Sequence, residues 1–337
     1  MKLATASLER LPRRLLLAGL AMFALAPLVT NPYQLFVGNL MLIYIVLAVG
    51  LNILIGYAGQ LVFANGVLFG IGAYGTGLLM FDGGLPFWLA LPAGALITTL
   101  VGVLVALPAL RLHSLYLALA TVAFAQFTLW TFTHWKDVTH GAAGFVLPKL
   151  NFAPLPVSPP VGIYYVSLAI AIVLVWGAWN LLRSRVGRAF VSIRKNEVAA
   201  ASLAVNITRT KTLAFGISAL YAGFAGGLFA VLLGVVVPEQ FNLFQIIIQF
   251  CMVIVGGIGS FWGVVVAAIL LIWVQEALRG LLELQEVGFG ALLLVTLLFF
   301  PGGLSAAVRR LVPAWREPLG RAPPAEDVQP TGGHGAK

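Results

Sequence analysis

Long blocks of apolar residues alternate along this sequence with short stretches where Gly, Pro, Arg and Lys collect. A helix crossing the hydrocarbon core of a bilayer needs about 20 mainly apolar residues. By that measure the chain predicts spans at 15–30, 35–56, 61–81, 86–108, 113–133 and 161–182. Beyond a polar segment follow 212–236, 244–258, 261–279 and 287–301, of which the second and last are short enough to tilt or break. The predicted fold class is all-α, a polytopic transmembrane helical bundle of about ten spans. Residues 1–14 precede it, the transmembrane domain runs over 15–311, and a tail rich in Pro, Gly and Ala over 312–337 is expected to be disordered.

Composition excludes the soluble alternatives. Hydrophobic residues make up 61% of the 337 and charged residues 9%, with a mean hydropathy of +1.01, against roughly 25% charged in an ordinary globular domain. The single Cys251 rules out an intrachain disulfide and a cysteine-based metal cluster. A net charge of +9 raises nucleic acid or anionic lipid as partners, so the position of each charge decides. With the N-terminus inside, the inside segments are 1–14, 57–60, 109–112, 183–211, 259–260 and everything from 302, and they hold seventeen of the twenty basic residues. Only Lys136, Lys149 and Arg279 fall outside, whereas the acids divide almost evenly. The excess charge therefore marks membrane sidedness, with both termini cytoplasmic and no nucleic-acid partner. Arg10, Arg13 and Arg14 ahead of an apolar run resemble a signal peptide, but another long apolar segment follows within a few residues, so an uncleaved first span is expected.

Three segments stand out against this background. In the basic loop 183–211, Phe190, Ile193, Ala200 and Leu203 fall near one helical face while Arg188, Arg194 and Lys195 point elsewhere, which predicts a short amphipathic helix on the cytoplasmic surface. It either grips headgroups or a soluble partner, or is a positive-inside loop with no partner. Asn52, Tyr57, Gln60, Asn65 and Tyr74 sit amid Gly56, Gly59, Gly66, Gly70, Gly72, Gly75 and Gly77; they mark either a solute path or glycine-mediated helix packing with amides bonding across helices. Gly256, Gly257, Gly259, Ser260 and Gly263 form a break suited to a tight turn, a broken helix at a cavity or a plain hairpin. The glycine segments at 56–60 and 256–260 also hint at two inverted repeats with broken helices. The longest outside stretch, 134–160, is expected to be an ordered loop or short interfacial helix.

Catalytic signatures are missing. None of the six lysines follows a glycine, so the Gly-Lys-Ser/Thr phosphate signature is absent. His113, His134, His140 and His334 lack metal-like pairing, no Ser lies in a Gly-x-Ser-x-Gly elbow, and Glu239, Glu276, Glu283 and Glu286 lie toward the outside ends of spans rather than as buried proton-relay pairs. A membrane-embedded enzyme and a proton-driven pump are disfavoured. An autonomous channel or ion-coupled carrier stays open.

Taken in order, several stretches over about 31–310 resemble the permease subunits of branched-chain amino-acid ABC importers, the LivM type. They are Leu51-Asn52 with Gly56-Tyr57-Ala58-Gly59-Gln60, Gly70-Ile71-Gly72-Ala73-Tyr74, Gly187-Arg188-Ala189-Phe190 with Ile193-Arg194 and Glu197-Val198-Ala199-Ala200, Asn206-Ile207-Thr208-Arg209, and Gly256-Gly257-Ile258-Gly259-Ser260 with Trp262-Gly263. The resemblance implies that the basic loop is a helix docking onto a cytoplasmic ATPase, with Gly187, Arg188, Arg194, Asn196, Glu197, Ala199 and Ala200 as its coupling residues. It implies no cofactor on this chain, ATP and Mg on two ATPase partners, a second homologous permease, a periplasmic solute-binding protein, and a bacterial inner-membrane location in contact with lipid. This sequence departs from the family after Gln60, where Val62, Phe63, Ala64, Asn65 and Gly66 stand in place of the usual Ser and Leu-Gly-His pattern. The family glycine seven residues after the motif Glu is Ala204, and the usual Thr-Gly-Gly of the external loop is Thr139-His140-Gly141. The departures leave urea or a short amide as an alternative cargo.

Overall fold

The computed structural model describes residues 31–109, 114–148 and 158–277, with isolated positions at Phe23, Pro27, Leu150, Gly288, Gly290, Gly303 and Leu304. Apart from those isolated positions, the predicted first and last spans lie outside the described residues, as do the N-terminal 1–14 and the tail 312–337.

The chain is helical nearly throughout. Helix α1 (Pro32–Asn52) opens with a proline in its first turn, where no amide bond is lost, and the Asn31 amide donates to Gln34 Oε1 at 3.3 Å. It continues through a five-residue π turn, Ile53–Tyr57. Then follow α2 (Asn65–Phe81), α3 (Phe87–Ala109), α4 (Ser114–His134), the one-turn α5 (Lys136–Thr139), α6 (Pro159–Arg183), α7 (Arg185–Lys195), α8 (Glu197–Ser202), α9 (Ile207–Leu233), α10 (Leu243–Gly256) and α11 (Phe261–Ala277). Among the described residues six helices are long and apolar enough to cross a membrane, and α2 and α11 are shorter apolar helices. The chain is a multi-pass membrane protein.

Sequence and structure agree closely on the spans, with one difference. Residues 61–64, expected to open the next span after a loop at 57–60, are not helical: after the π turn the chain bends at Gly59, whose φ is +71°, and helix resumes only at Asn65. A left-handed glycine ends a helix because the next amide no longer points along the axis.

Burial follows from the pattern of each helix. Helix α1 is apolar on every side, and from Leu42 to Tyr57 every residue is buried, as expected of a helix surrounded by others. It packs against α6, α9 and α11. Around it α2, α3 and α9 pack through small residues: a methyl on Gly72 would sit 2.5 Å from Gly223 Cα, and one on Gly223 would sit 2.7 Å from Ala95 Cα. Such close approach lets backbones gain dispersion contacts that lipid tails cannot match. Helix α4 is the exception. Most of its surface faces outward, and Phe132 and Thr121 are among the few residues tying it to the bundle, the latter accepting from Phe63 N at 3.0 Å.

The connecting segments collect at two poles. At one lie residues 57–64, α7 and α8, and the turn 257–260, with Arg183, Arg185, Arg188, Arg194, Lys195, Arg209 and Lys211 on or near them; this is the basic pole. At the opposite pole the stretch after α4 folds as α5, a 3-10 turn at Gly141–Ala143 and a two-residue strand β1 (Phe145–Val146). It pairs antiparallel with β2 (Val235–Val236) and is pinned to Asp82 by His140 Nε2 at 3.2 Å. The alternation predicted from charge thus separates the segments into two spatial groups.

Two expectations need correction. Helices α1 and α10 both run toward the basic pole, so the glycine turns at 56–60 and 256–260 meet at one end of the molecule. Segments related by inversion would lie at opposite ends, so these two turns are not equivalent points of an inverted repeat. Second, Leu203 does not share the buried face of Phe190, Ile193 and Ala200: it is 77% exposed. The basic segment is two helices, broken where Asn196 leaves helical geometry to cap α8, and Leu203 lies past the end of the second.

Candidate functional site

The loops at the basic pole converge on Arg194, in the last turn of α7. Its guanidinium donates to the carbonyl of Gly56, at the end of the π turn. Helix ends leave carbonyls without intrahelical partners, and a cation there satisfies them while complementing the helix dipole. The stem of Arg194 covers Gly59, where a methyl would lie 3.0 Å from Cγ and 3.2 Å from Cβ. The same guanidinium reaches Gly259: a methyl there would be 2.5 Å from Nη1 and 3.0 Å from Gly56 O. Gly259 has a φ of +83°, so glycine is required there for conformation and for space.

Asn52 closes the same cluster from the membrane side. Its Nδ2 donates to Ser260 O at 3.0 Å, and its Oδ1 accepts from Gly259 N at 3.0 Å. One buried amide thereby satisfies a donor and an acceptor of the turn. Ser260 Oγ accepts from Gly263 N at 3.1 Å and caps α11. Gly256 and Gly263 bring α10 against α11, since a methyl on Gly256 would fall 2.5 Å from Val264 Cα and 2.7 Å from Gly263 O. The break is thus a tight hairpin turn, fastened to α1.

Beyond this cluster α7 and α8 form the surface of the basic pole. Ser184 caps α7 by accepting from Val186 N at 3.1 Å, and Gly187 lets α7 fold back on the end of α6, where a side chain would strike the Leu182 carbonyl. Phe190 and Ile193 anchor α7 inward, and Ala200 anchors α8. Asn196 Oδ1 accepts from Ala199 N at 3.1 Å, placing Glu197 in the first turn of α8, where Lys211 Nζ pairs with Glu197 Oε1 at 2.7 Å. Arg188 and Ala199 are exposed, as is Val198 at 77%.

The residues expected to line a path are buried. Asn65 Nδ2 donates to Gln249 Oε1 at 3.0 Å and its Oδ1 accepts from Ser218 Oγ at 3.2 Å, linking α2, α10 and α9. Gln60 bonds locally to Ala58 O at 3.3 Å. Tyr57 is buried, and Tyr74 stacks on Phe132 at 4.1 Å within a ring cluster that includes Phe145 and Phe241. Two apolar cavities of about 250 and 210 Å³ lie elsewhere, beside α6 and α9, and none of the five lines them.

Sequence reasoning missed Gln245, Gln249 and Ser218. The Gln245 Oε1 accepts from Tyr44 OH at 2.7 Å. The two glutamines lie four residues apart in an otherwise apolar stretch, hence on one helical face, and that spacing was the available signal. It points to amide bonding between helices.

These features have counterparts in characterised proteins. Residues 34–300 match the family described as the branched-chain amino acid transport system / permease component. The chain is 32% identical over 322 residues to the high-affinity branched-chain amino acid transport system permease protein LivM of Salmonella typhimurium, covering 88% of this chain and 76% of the relative. It is 33% identical to the Escherichia coli protein of the same name with the same coverage. A shorter match, 33% over 153 residues, covers 45% of this chain and 41% of the autoinducer 2 import system permease protein LsrC of an Enterobacter species. No solved structure matches. The extent of the family match and the coverage of the two long relatives place this chain among the permease components of branched-chain amino acid ABC transport systems, a family of transport subunits that are not themselves catalytic.

Proposed function

We propose that this chain is one of two membrane-spanning subunits of an importer that carries leucine, isoleucine, valine or a similar small amino acid across the bacterial inner membrane. The cargo follows the printed function of the two long relatives. The basic pole is cytoplasmic by the positive-inside rule, with both termini on that side of a bundle of about ten spans. Helix α7 and helix α8 receive two ATPase subunits, which hold the ATP and Mg. The opposite pole receives the solute from a periplasmic binding protein, and lipid surrounds the remainder.

The observation that carries this reading is the exposed face of α8. Val198 and Leu203 are each 77% exposed at a pole crowded with basic residues. Exposed apolar side chains on a polar surface fit a protein groove better than water. Gly187, Arg188, Asn196, Glu197, Ala199 and Ala200 shape that surface: some fold it back on the bundle, and others face the partner.

A second homologous permease belongs along α4, whose outward face carries Tyr116, Phe127 and Trp130 and also the exposed amide of Gln126 in the middle of the span. A lone amide facing hydrocarbon is costly, so a polar partner covers it. In this reading Asn52 and Asn65 hold the helices that flank the path and do not touch solute.

The test is co-expression with the genetically neighbouring ATPases. The wild-type chain should co-purify with them, Val198→Glu should abolish the association while the chain still inserts, and proteoliposomes holding this chain alone should move no solute. Transport by the isolated chain would favour an autonomous channel or carrier, and transport of urea in place of leucine by the full complex would replace the cargo.

A further inference from the structure

We infer that Arg194 positions the two glycine turns relative to α7 and so transmits displacement of α7 and α8 into the membrane-spanning helices; this rests on the reading of α8 as the ATPase-docking element. Lys211 of the same segment is committed to Glu197, and the Arg183 guanidinium lies over the Trp179 ring, 5.9 Å from its centroid. Arg194 keeps one side exposed but reaches back into the bundle, where its head group bonds the end of the π turn and also lies against the hairpin turn before α11.

The geometry makes a single linked unit. One side chain meets Gly56, Gly59 and Gly259, three positions without a side chain of their own, so its stem rests on backbone at Gly59 and its guanidinium on backbone at Gly56 and Gly259. Asn52 ties the two turns to each other through Ser260 O and Gly259 N. Each turn is the end of a rigid element: α1 above Gly56, and α10 with α11 on either side of Gly259. Helices move as bodies and bend where glycine or a π turn interrupts them. A shift of α7 therefore carries both turns with it, and α1 touches α6, α9 and α11 along its length. Movement imposed at the surface thus reaches the turns of α1, α10 and α11 through one charged side chain, beside the direct packing of α7 on α6 and α9.

The experiment uses the full complex, reconstituted in proteoliposomes with its ATPases, partner permease and binding protein, and measures ATP hydrolysed per solute moved. Arg194→Ala is expected to keep the ATPases bound while transport falls at least tenfold, with hydrolysis falling far less, so that the ratio rises about tenfold or more. Arg194→Lys, which retains a donor but not the fork, is expected to fall between. Gly59→Ala is the independent variant should Arg194→Ala fail to insert: its methyl would press on the Arg194 stem from the other side, and the same rise in the ratio is expected. Spin labels at Ser202→Cys and Ile258→Cys, with buried Cys251 left unlabelled, should keep a fixed separation through the ATP cycle in the wild type and a broadened one in the variants. Loss of ATPase binding in Arg194→Ala would make Arg194 a docking residue and overturn the inference while sustaining the proposed function. Hydrolysis and transport falling together at constant ratio would reduce it to a structural role and overturn it equally. A wild-type complex that does not couple hydrolysis to transport would instead overturn the proposed function.

Discussion

The two residues other than glycine with positive φ, among those described, are His140 at 60° and Ala204 at 59°. Both stand where related permeases carry glycine by the resemblance drawn from the sequence, so each bears a conformation that its own side chain resists. A left-handed conformation costs a non-glycine residue roughly 1–2 kcal/mol. Ala204→Gly should therefore raise stability by about 0.5–1 kcal/mol after glycine's extra chain entropy is counted, read as a higher melting temperature in detergent. His140 differs because its ring does something in return: it bonds Asp82 at 3.2 Å and packs edge-on against Phe81. His140→Gly should accordingly be close to neutral, and Asp82→Ala should lose its effect in that background. The Asp82–His140 coupling in such a double-mutant cycle should be under about 1 kcal/mol, because both side chains are solvent-accessible.

At the scale of elements, the spans were legible because apolar blocks of membrane length have few alternative readings, and the described helices match the expected boundaries within a few residues. The interruptions were less legible. Residues 61–64 are as apolar as a span, and only the structure shows that the loop expected at 57–60 runs on to Asn65. Asn196 reads equally well as a helix residue or a cap until Ala199 N is seen bonded to it. Asn52 looked like a path residue because an amide in an apolar run has no local partner; its partners lie more than two hundred residues away. The Asn52 pairing sets a measurable expectation. Asn52→Leu leaves the Gly259 amide and the Ser260 carbonyl without partners, at about 1–3 kcal/mol each, so unfolding in detergent should shift by roughly 2–6 kcal/mol. Ser218→Ala, which removes one neutral bond to Asn65, should cost about 1 kcal/mol or less.

For the whole molecule, charge and helix placement support each other. The basic residues that assigned sides along the sequence gather at one pole in three dimensions, and the exposed apolar pair Val198 and Leu203 lies among them. Arg194 was legible only as a positive charge on the correct side; its inward reach depends on where Gly56 and Gly259 are brought by the fold. Function at this scale belongs to an assembly. Glu197→Arg places a cation against Lys211 and should disorder the start of α8, lowering ATPase co-purification and uptake together. Lys211→Glu in the same chain should recover part of both by restoring an opposite pair.

The central position of α1 also has a consequence in time. It is made early, yet the turn that Asn52 holds is encoded 207 residues later. At synthesis rates of 5–20 residues per second, Asn52 waits on the order of ten to forty seconds for its partner. During that interval α1 stands among lipids or insertion machinery with its amide unanswered, so its strong hydropathy is what keeps it in the bilayer until the rest of the chain arrives.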